Sequence, residues 1–435
     1  MLDQAYQHFS AGRLDAAAKA CESVLAGNPS NAEANHLLGV ICFQQGDNAV
    51  ARELLARACA SLQATPEMHN NYGGVLDAIG DSEGAVEAFR RALAERPNYA
   101  DALNNLGVAL RDLKRTDEAI DAFRRAVALK SDFAQAKANL RAAYRDVVPA
   151  WHFAMMDDDA RNDAYEAAIG NAVKGKRVLD IGTGAGLLAM MAARAGAAKV
   201  TTCETVGLIA DRARDIVARN GLSDRITVIA KRSQDLTLGR DLPERAQVLI
   251  TETFASGLIS EGILPTVEHA HENLLAEDAV VIPAAACAMG YLAGGDALKG
   301  LLFVDKIKGF DLLPFNDFAP PSMGVLLDRF PHDILSDDVE LIRFNLRAKR
   351  FPMESRTVPV RATRTGEAIG VVQWIRLELD LLNSYDNRPS ADAPFNGHWT
   401  QIMYRFPRPR AVKAGDVVPL SVKHNRNQIS VDLIE

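Results

Sequence analysis

Hydrophobic positions in the first third of the chain recur at spacings of three and four, as in ALNNLGVALRDLKRTDEAIDAFRRAVAL. That spacing predicts pairs of amphipathic helices joined by short turns. A longer period overlies it. Gly12, Gly46 and Gly80 stand 34 residues apart, as do Ala17, Ala51, Ala85 and Ala119. Gly39, Gly73 and Gly107 fall where the first helix of each pair must approach the second. Val24, Ala58, Ala92 and Ala126 fall where the second packs toward the next pair. Pro29 and Pro97 close their units, because proline cannot continue a helix. The pattern predicts a truncated first unit, three full units over about 32–133, and a closing helix in FAQAKANLRAAYRDV.

A helical-hairpin period of 34 residues is the signature of tetratricopeptide repeats. One such unit cannot bury its apolar face alone, so stacked units form a solenoid with a concave surface. Asn35, Asn70, Asn71, Asn104 and Asn105 recur on the face that the first helix of each unit presents. Either they hydrogen-bond the backbone of a captured peptide or they are simply solvated. The first reading predicts partner binding; the second fits a spacer or an oligomerisation element.

After Trp151 the period changes. KRVLDIGTGAGLLAMMAARAGAAKVTTCETVGLIADRARDIVARNGL reads as strand, glycine-rich turn, helix, strand, acidic residue, helix. This is a βαβ unit of a doubly wound sheet, with ligand expected at the carboxyl ends of the strands. The turn runs Gly182-Thr183-Gly184-Ala185-Gly186, and Leu187 breaks the G-x-G-x-x-G pattern of a dinucleotide site. What stands instead is D-x-G-x-G-x-G, beginning at Asp180. A dinucleotide needs a helix N-terminus for its pyrophosphate. S-adenosylmethionine has an amino-acid head and a sulfonium instead, so a carboxylate beside the turn is useful. Glu204, at the end of the second strand, can accept both ribose hydroxyls, and Ser233 and Gln234 follow the third strand at the adenine level.

Composition narrows the partners. A formal net charge of −7 argues against a nucleic-acid-coating surface. The chain opens on an amphipathic repeat rather than a leader, and no window approaches eighteen uninterrupted apolar residues, so a cytoplasmic protein with no membrane span is expected. Its five cysteines are scattered, as suits small core residues of a reducing compartment. His269 and His271 lie in EHAHENLL and read as structural, and no metal-binding constellation is present.

The segment ITETFASGLISEG places Glu252 and Glu261 nine residues apart. Taken singly, Glu252 is a strand-end residue and Glu261 can cap the helix that follows. As a pair, with Gly257 and Gly262 letting the loop turn back, the two carboxylates can grip a planar guanidinium through directional hydrogen bonds.

Over 150–435 the chain resembles the protein arginine N-methyltransferases. His152-x-x-Met155 with Asp158, Arg161 and Tyr165 is similar to the N-terminal helix of that family, and VLDIGTGAGLL with Glu204 to its cofactor motifs. Gly309-Phe310-Asp311 and LLPFNDF are similar to its dimerisation arm. Gly397-His398-Trp399 resembles its Thr-His-Trp loop, with glycine in place of threonine. The resemblance is strongest to the divergent branch whose members carry tetratricopeptide repeats or duplicated catalytic modules.

The repeats and the resemblance together predict three parts. A tetratricopeptide α-helical solenoid spans 1–147, and a Rossmann-like α/β class I methyltransferase domain spans 148–283. A β-barrel substrate subdomain spans 284–435, with a dimerisation arm at about 293–323. The resemblance further implies catalytic roles for Glu252, Glu261, His398 and Met155, with Arg161 on the cofactor carboxylate. S-adenosylmethionine is the implied cofactor, a protein with an accessible arginine the substrate, and a homodimer the assembly. The repeats are expected to recruit substrate or partner. Two departures bear on the product. VVPAW stands where asymmetric dimethylating members carry a tyrosine-bearing stretch, which favours monomethyl or symmetric dimethyl product, and Gly397 removes a hydroxyl. The rival readings are a methyltransferase for another protein acceptor, such as lysine or a ribosomal-protein amine, and a non-catalytic adaptor.

Overall fold

The computed structural model describes residues 1–327, 330–389 and 399–434. The chain divides into two compact units, Met1–Pro149 and Ala150–Glu435.

In the first unit, α1 (Leu2–Ser10) pairs with α2 (Leu14–Gly27), α3 (Ala32–Gln44) with α4 (Asn48–Cys59), α5 (Pro66–Ala78) with α6 (Ser82–Glu95), and α7 (Ala100–Asp112) with α8 (Thr116–Leu129). The closing helix α9 (Ala134–Val147) packs on α8. Side-chain caps from Asn31, Asp47, Thr65 and Asp81 satisfy free N–H groups at the starts of α3 to α6. The expected close approaches are present. A Cβ at Gly73 would lie 2.6 Å from the Phe89 ring, and one at Gly107 would lie 2.5 Å from Phe123. Gly46 and Gly80 turn between helices with φ of 86° and 84°, and Lys114 adopts the same left-handed conformation at φ 61° without being glycine.

The asparagines are not simply solvated, because most of them bond to one another. Asn139 Nδ2 donates to Asn104 Oδ1 at 2.9 Å, Asn104 Nδ2 to Asn105 Oδ1 at 3.4 Å, and Asn105 Nδ2 to Asn70 Oδ1 at 3.1 Å. Asn70 Nδ2 then donates to Asn71 Oδ1 at 3.4 Å, and Asn71 Nδ2 meets His36 Nε2 at 2.8 Å. One relay of amides therefore runs from α9 through α7 and α5 to α3. Asn35, which is buried, instead donates to the carbonyls of Pro29 and Asn31.

The second unit opens with α10 (Trp151–Met156) and α11 (Asp159–Ala172). A parallel sheet follows, built from β1 (Arg177–Ile181), β2 (Lys199–Cys203), β3 (Ile226–Ile229), β4 (Ala246–Thr251) and β5 (Leu275–Ile282) in the order β3-β2-β1-β4-β5. Helices α12 (Leu187–Arg194), α13 (Gly207–Arg219) and α14 (Ile263–Asn273) connect the strands. Strands β1, β2 and β4 are buried at all but one position each, as covering on both faces requires.

Antiparallel structure begins with β6 (Ala285–Gly294), followed by α15 (Asp296–Leu302), β7 (Lys306–Ile307), β8 (Phe310–Asp311), β9 (Ser322–Val325) and β10 (Asp333–Ile334). Then come β11 (Val339–Asn345), β12 (Glu354–Arg361), β13 (Gly366–Glu378), β14 (Ser384–Asp386), β15 (Gln401–Val412), β16 (Val417–His424) and β17 (Ile429–Leu433). Strands β10-β6-β13-β15-β9 form one sheet, joined by β11 and β14, while β12-β16-β17 form a second. Val358, Leu420 and Val422 of the second sheet share one core with Val371 and Ile375 of the first, and with Leu249 and Ile250 of the parallel sheet. This shared core fixes the β-barrel subdomain against the ends of β1 and β4. No helix among the described residues is long and apolar enough to cross a membrane.

Candidate active site

The glycine turn follows β1, and all three of its glycines, Gly182, Gly184 and Gly186, have positive φ. A side chain at Gly182 would also collide with Thr253, whose Cγ2 is 2.6 Å from the position of a Cβ. Asp180, one residue inside the strand end, is 1% exposed. Its Oδ2 accepts from Thr202 Oγ1 at 2.7 Å. The single Thr202 proton is thereby committed, so Thr183 donates the 2.6 Å bond between the two threonines. Asp180 Oδ1 has no partner among the described residues, and burial pushes the pKa of this carboxyl up to about 7 against the Thr202 hydrogen bond.

Glu204 follows β2. It accepts from Gly184 N at 3.2 Å and from Val206 N at 3.0 Å, which ties it to the glycine turn. Ser233 donates to Gln234 at 3.2 Å, and Gln234 donates in turn to Thr266 on α14 at 3.0 Å. Gly182, Gly184, Glu204, Ser233 and Gln234 all line a cavity of about 610 Å³, together with His152 and Met155 of α10 and both Glu252 and Glu261. The structure therefore brings one face of the predicted cofactor set and the glutamate pair to a single cleft.

Arg161 lies on α11, whose N-terminus is capped by Asp158 accepting from Arg161 N at 2.9 Å. Its guanidinium is buried and points at the glutamate loop, with Nη2 3.1 Å from Glu252 Oε2 and Nη1 2.8 Å from Asn162 Oδ1. Burial opposes the charge most strongly, but Glu252, Tyr165 and Asp158 together outweigh it and the pKa is raised. Arg161 Nε has no partner among the described residues. Tyr165 lies under the guanidinium, 5.1 Å from it, and donates to Thr251 O at 3.1 Å. An amino-acid head fits these residues: Asp180 Oδ1 is a spare acceptor for its ammonium and Arg161 Nε a spare donor for its carboxylate.

Glu252 follows β4 directly. Glu261 is accessible to solvent, yet partial burial and the charge of Glu252 raise its pKa. It does not cap α14, whose N-cap is Gly262 and has no side-chain cap bond. Leu258 (φ 67°) and, just after Glu261, Gly262 (φ 77°) take the left-handed conformation, whereas Gly257 sits in the turn closed by Leu258 N to Ala255 O at 2.7 Å without it. A leucine in the left-handed region costs about 1 kcal/mol or more. Leu258 is fully buried, and that packing holds the strain in place.

Beside the cleft, and sharing Trp151 and Glu261 with it, is a second cavity of about 660 Å³. The glutamate loop forms one wall, Trp399 and β15 another, and Gln428–Asp432 a third. Trp399 is buried, its Nε1 donating to Phe254 O at 2.6 Å and its ring 5.9 Å from Tyr385. Tyr385 donates to Asp158. His398 and Gly397 lie outside the described residues. The sequence did not single out Gln373, Thr400 or Tyr385, and Trp151 entered only as the point where the period changes and as the end of VVPAW. For Trp151 the tandem aromatic Trp151-His152, its rings stacked at 3.8 Å, is the local signal that could have found it.

His271 binds the Leu346 carbonyl at 3.0 Å. Among the described residues no group of three or more His, Cys, Asp or Glu side chains is placed to hold a metal.

Residues 2–68 and 75–132 match the tetratricopeptide repeat family, and residues 164–273 match the family described as ribosomal protein L11 methyltransferase (PrmA). An arginine N(omega)-methyltransferase of Streptomyces achromogenes subsp. streptozoticus is 40% identical over 275 residues, covering 63% of this chain and 75% of that protein. The chain belongs to the arginine N-methyltransferase family. It is an S-adenosylmethionine-dependent enzyme that methylates arginine. Protein arginine N-methyltransferase 7 of Drosophila ananassae is 30% identical over 327 residues, covering 65% of this chain and 47% of the fly protein, so the chain spans about half of that relative. Among solved structures, the Trypanosoma brucei PRMT1 enzyme-prozyme heterotetrameric complex with AdoHcy shares the fold. Its TM-score is 0.57 at 23% identity, over 67% of this chain and 95% of that one.

Proposed function

We propose that this arginine methyltransferase acts on arginine within a polypeptide, and that the cavity beside Glu261 receives the acceptor. The observation that carries this reading is the charge of that cavity. Among the described residues its lining holds Glu261 and Asp432 but no lysine or arginine. A free arginine would bring an α-carboxylate needing a cation, whereas a peptide-linked arginine brings only its guanidinium. The Streptomyces relative is named for arginine rather than protein arginine, so free arginine is the alternative to test.

Three divisions of labour follow, over residues 1–147, 148–283 and 284–435. In the second, Asp180, Glu204, Ser233, Gln234 and the Gly182–Gly186 turn hold the cofactor, with Arg161 on its carboxylate. S-adenosylmethionine supplies an electrophilic methyl group on a sulfonium. Glu252 and Glu261 grip the acceptor guanidine so that one ω-nitrogen faces that methyl group, and Met155 packs beside it. Orientation is the main service, because it makes the encounter effectively intramolecular. A free guanidinium is too weak an acid for an ordinary base, so the proton leaves late, to a carboxylate or through His398. The absent tyrosine stretch favours monomethyl or symmetric dimethyl product.

The repeats bind a partner or the substrate protein, and the enzyme is a cytoplasmic homodimer. Supporting a dimer, the arm at 293–323 exposes Phe310, Phe315 and Phe318, an apolar group suited to covering by a second copy. A labelled-methyl assay comparing an arginine-rich protein, an arginine peptide, a lysine peptide and free arginine tests the acceptor. Transfer to free arginine with none to the peptide would overturn the polypeptide reading, and mass spectrometry of the product gives the methylation type.

A further inference from the structure

Gln373 sits mid-strand in β13 with no exposed surface, opposite Gly290 of β6 and Ile402 of β15. Its neighbours Val372 and Trp374 are apolar core, so an amide here needs both of its ends satisfied. Both are. Nε2 donates to the Ser256 carbonyl at 3.2 Å, and Oε1 accepts from Tyr404 Oη at 2.9 Å. A carbonyl can only accept, so the contact with Ser256 fixes which end of the amide faces the loop. Tyr404, nearly buried on β15, then has to be the donor at the other end.

Ser256 lies between the two glutamates, four residues after Glu252 and five before Glu261. Thr400 reaches the same residue, its Oγ1 3.1 Å from Ser256 Oγ, and Trp399 holds Phe254 O at 2.6 Å. The loop is therefore fastened to the barrel at its midpoint, one turn before the strained Leu258.

We propose that Gln373 is a positioning residue for arginine methylation: its amide fixes the Ser256 carbonyl, and through it the relative placement of Glu252 and Glu261. This rests on the reading of the two glutamates as the arginine grip. Gln373 touches neither cofactor nor acceptor and acts only through the loop. Its bonds reach the glutamate loop and the barrel, not the glycine turn, Asp180 or Glu204, so its loss separates acceptor geometry from cofactor binding.

The test compares Gln373→Met, which keeps length and loses both polar ends, with Tyr404→Phe, which removes the hydroxyl that orients the amide and that also lies 3.2 Å from the Ile429 carbonyl. Each is assayed in the full chain for kcat, acceptor KM, AdoHcy affinity and thermal stability, with arginine peptide and free arginine as acceptors. Gln373→Met is expected to lower kcat/KM for the accepted arginine by about ten- to a hundredfold, as sub-ångström misplacement of reacting groups does. AdoHcy affinity should stay within about twofold, since the cofactor groups are untouched. Tyr404→Phe should lose less, and adding it to Gln373→Met should change little more, because both act on one bond network.

Wild-type kcat/KM in Gln373→Met, or a loss matched by an equal loss of AdoHcy affinity, would overturn the proposal. If Gln373→Met does not fold, Tyr404→Phe decides: unchanged kcat/KM, or a loss confined to acceptor KM as Tyr404 lines the acceptor cavity, overturns it, and a loss in kcat at constant AdoHcy affinity supports it. A wild-type chain that binds AdoHcy but methylates neither acceptor would overturn the glutamate reading and this one together. An active wild type with an indifferent Gln373→Met overturns this one alone.

Discussion

Arg161 and Glu252 are joined by an ion pair at 3.1 Å in which both side chains are buried. The carboxylate proposed to take the acceptor guanidinium is thus already holding a guanidinium from α11. Removing one partner of a buried pair leaves an uncompensated charge, at a cost of about 3–5 kcal/mol. Glu252→Gln keeps one acceptor oxygen and should fall toward the lower end. Calorimetry should show a lower melting temperature, AdoHcy titration should still show binding, and methyl transfer should be abolished. Methylation at the wild-type rate would remove Glu252 from the mechanism.

The raised pKa of Asp180 makes cofactor-free stability depend on pH. The folded-state value is about 7, against the ordinary 3.8, so the folded protein holds a proton that the unfolded chain releases over this interval. The stabilisation is full below about pH 4 and is lost as pH rises through 7. The slope is at most about 1.4 kcal/mol per pH unit. Asp180→Asn removes the titration. Measured by denaturant unfolding, the variant should gain on the wild type between pH 4 and 7 and hold a constant margin above that. A margin independent of pH would show that Asp180 is ionised throughout. An ammonium beside Asp180 favours the ionised form, so wild-type AdoHcy affinity should also rise through pH 7.

Much of this was legible in the chain itself, for reasons that differ by region. The repeats announce themselves because Gly73 and Gly107 are forced by contact with Phe89 and Phe123, and a forced residue recurs with the period. The D-x-G-x-G-x-G turn is local, so its geometry is written in consecutive residues. Side chains that act across the fold leave no such mark. Gln373 is 117 residues from the Ser256 it holds, and Tyr385 is 227 from Asp158. The left-handed residue of the glutamate loop is Leu258 rather than Gly257, since packing of Leu258 outweighs its backbone preference. The recurrence of the asparagines was visible in sequence, but not that Asn139, Asn104, Asn105, Asn70 and Asn71 each bond to the next.

The amide relay predicts how the repeats fail. Asn105→Ala would leave Asn70 Oδ1 without its donor and Asn104 Nδ2 without its acceptor, both on buried residues. An unsatisfied buried group costs about 1–3 kcal/mol. The relay ends on His36 Nε2, which must be unprotonated to accept from Asn71, and burial lowers the His36 pKa in spite of Glu67. A lowered histidine contributes stability above the unfolded value of about 6.5 and loses it as pH falls below. Thermal unfolding of the chain at pH 7.5 and 5.5 should show the repeat transition falling at the lower pH. His36→Gln, which can still accept, should flatten that dependence; an equal pH shift in the variant would place the titration elsewhere.

Trp151 tests the product question most directly. It lines both cavities, is about 41% exposed, and its ring stacks on His152, so it stands at the junction of cofactor and acceptor. It occupies the stretch where the asymmetric members of the family carry tyrosine. An aromatic face near a guanidinium contributes about 0.5–2 kcal/mol, which corresponds to about two- to thirtyfold in binding. Trp151→Ala should therefore raise acceptor KM within that range, and Trp151→Phe should recover part of the loss. The wider junction should also admit an already methylated arginine more easily, increasing the dimethyl fraction. Mass spectrometry of peptide methylated to completion reads this ratio. If Trp151→Ala raises KM without changing the product ratio, the indole holds the acceptor but does not limit it; if neither moves, the junction is formed by residues other than Trp151.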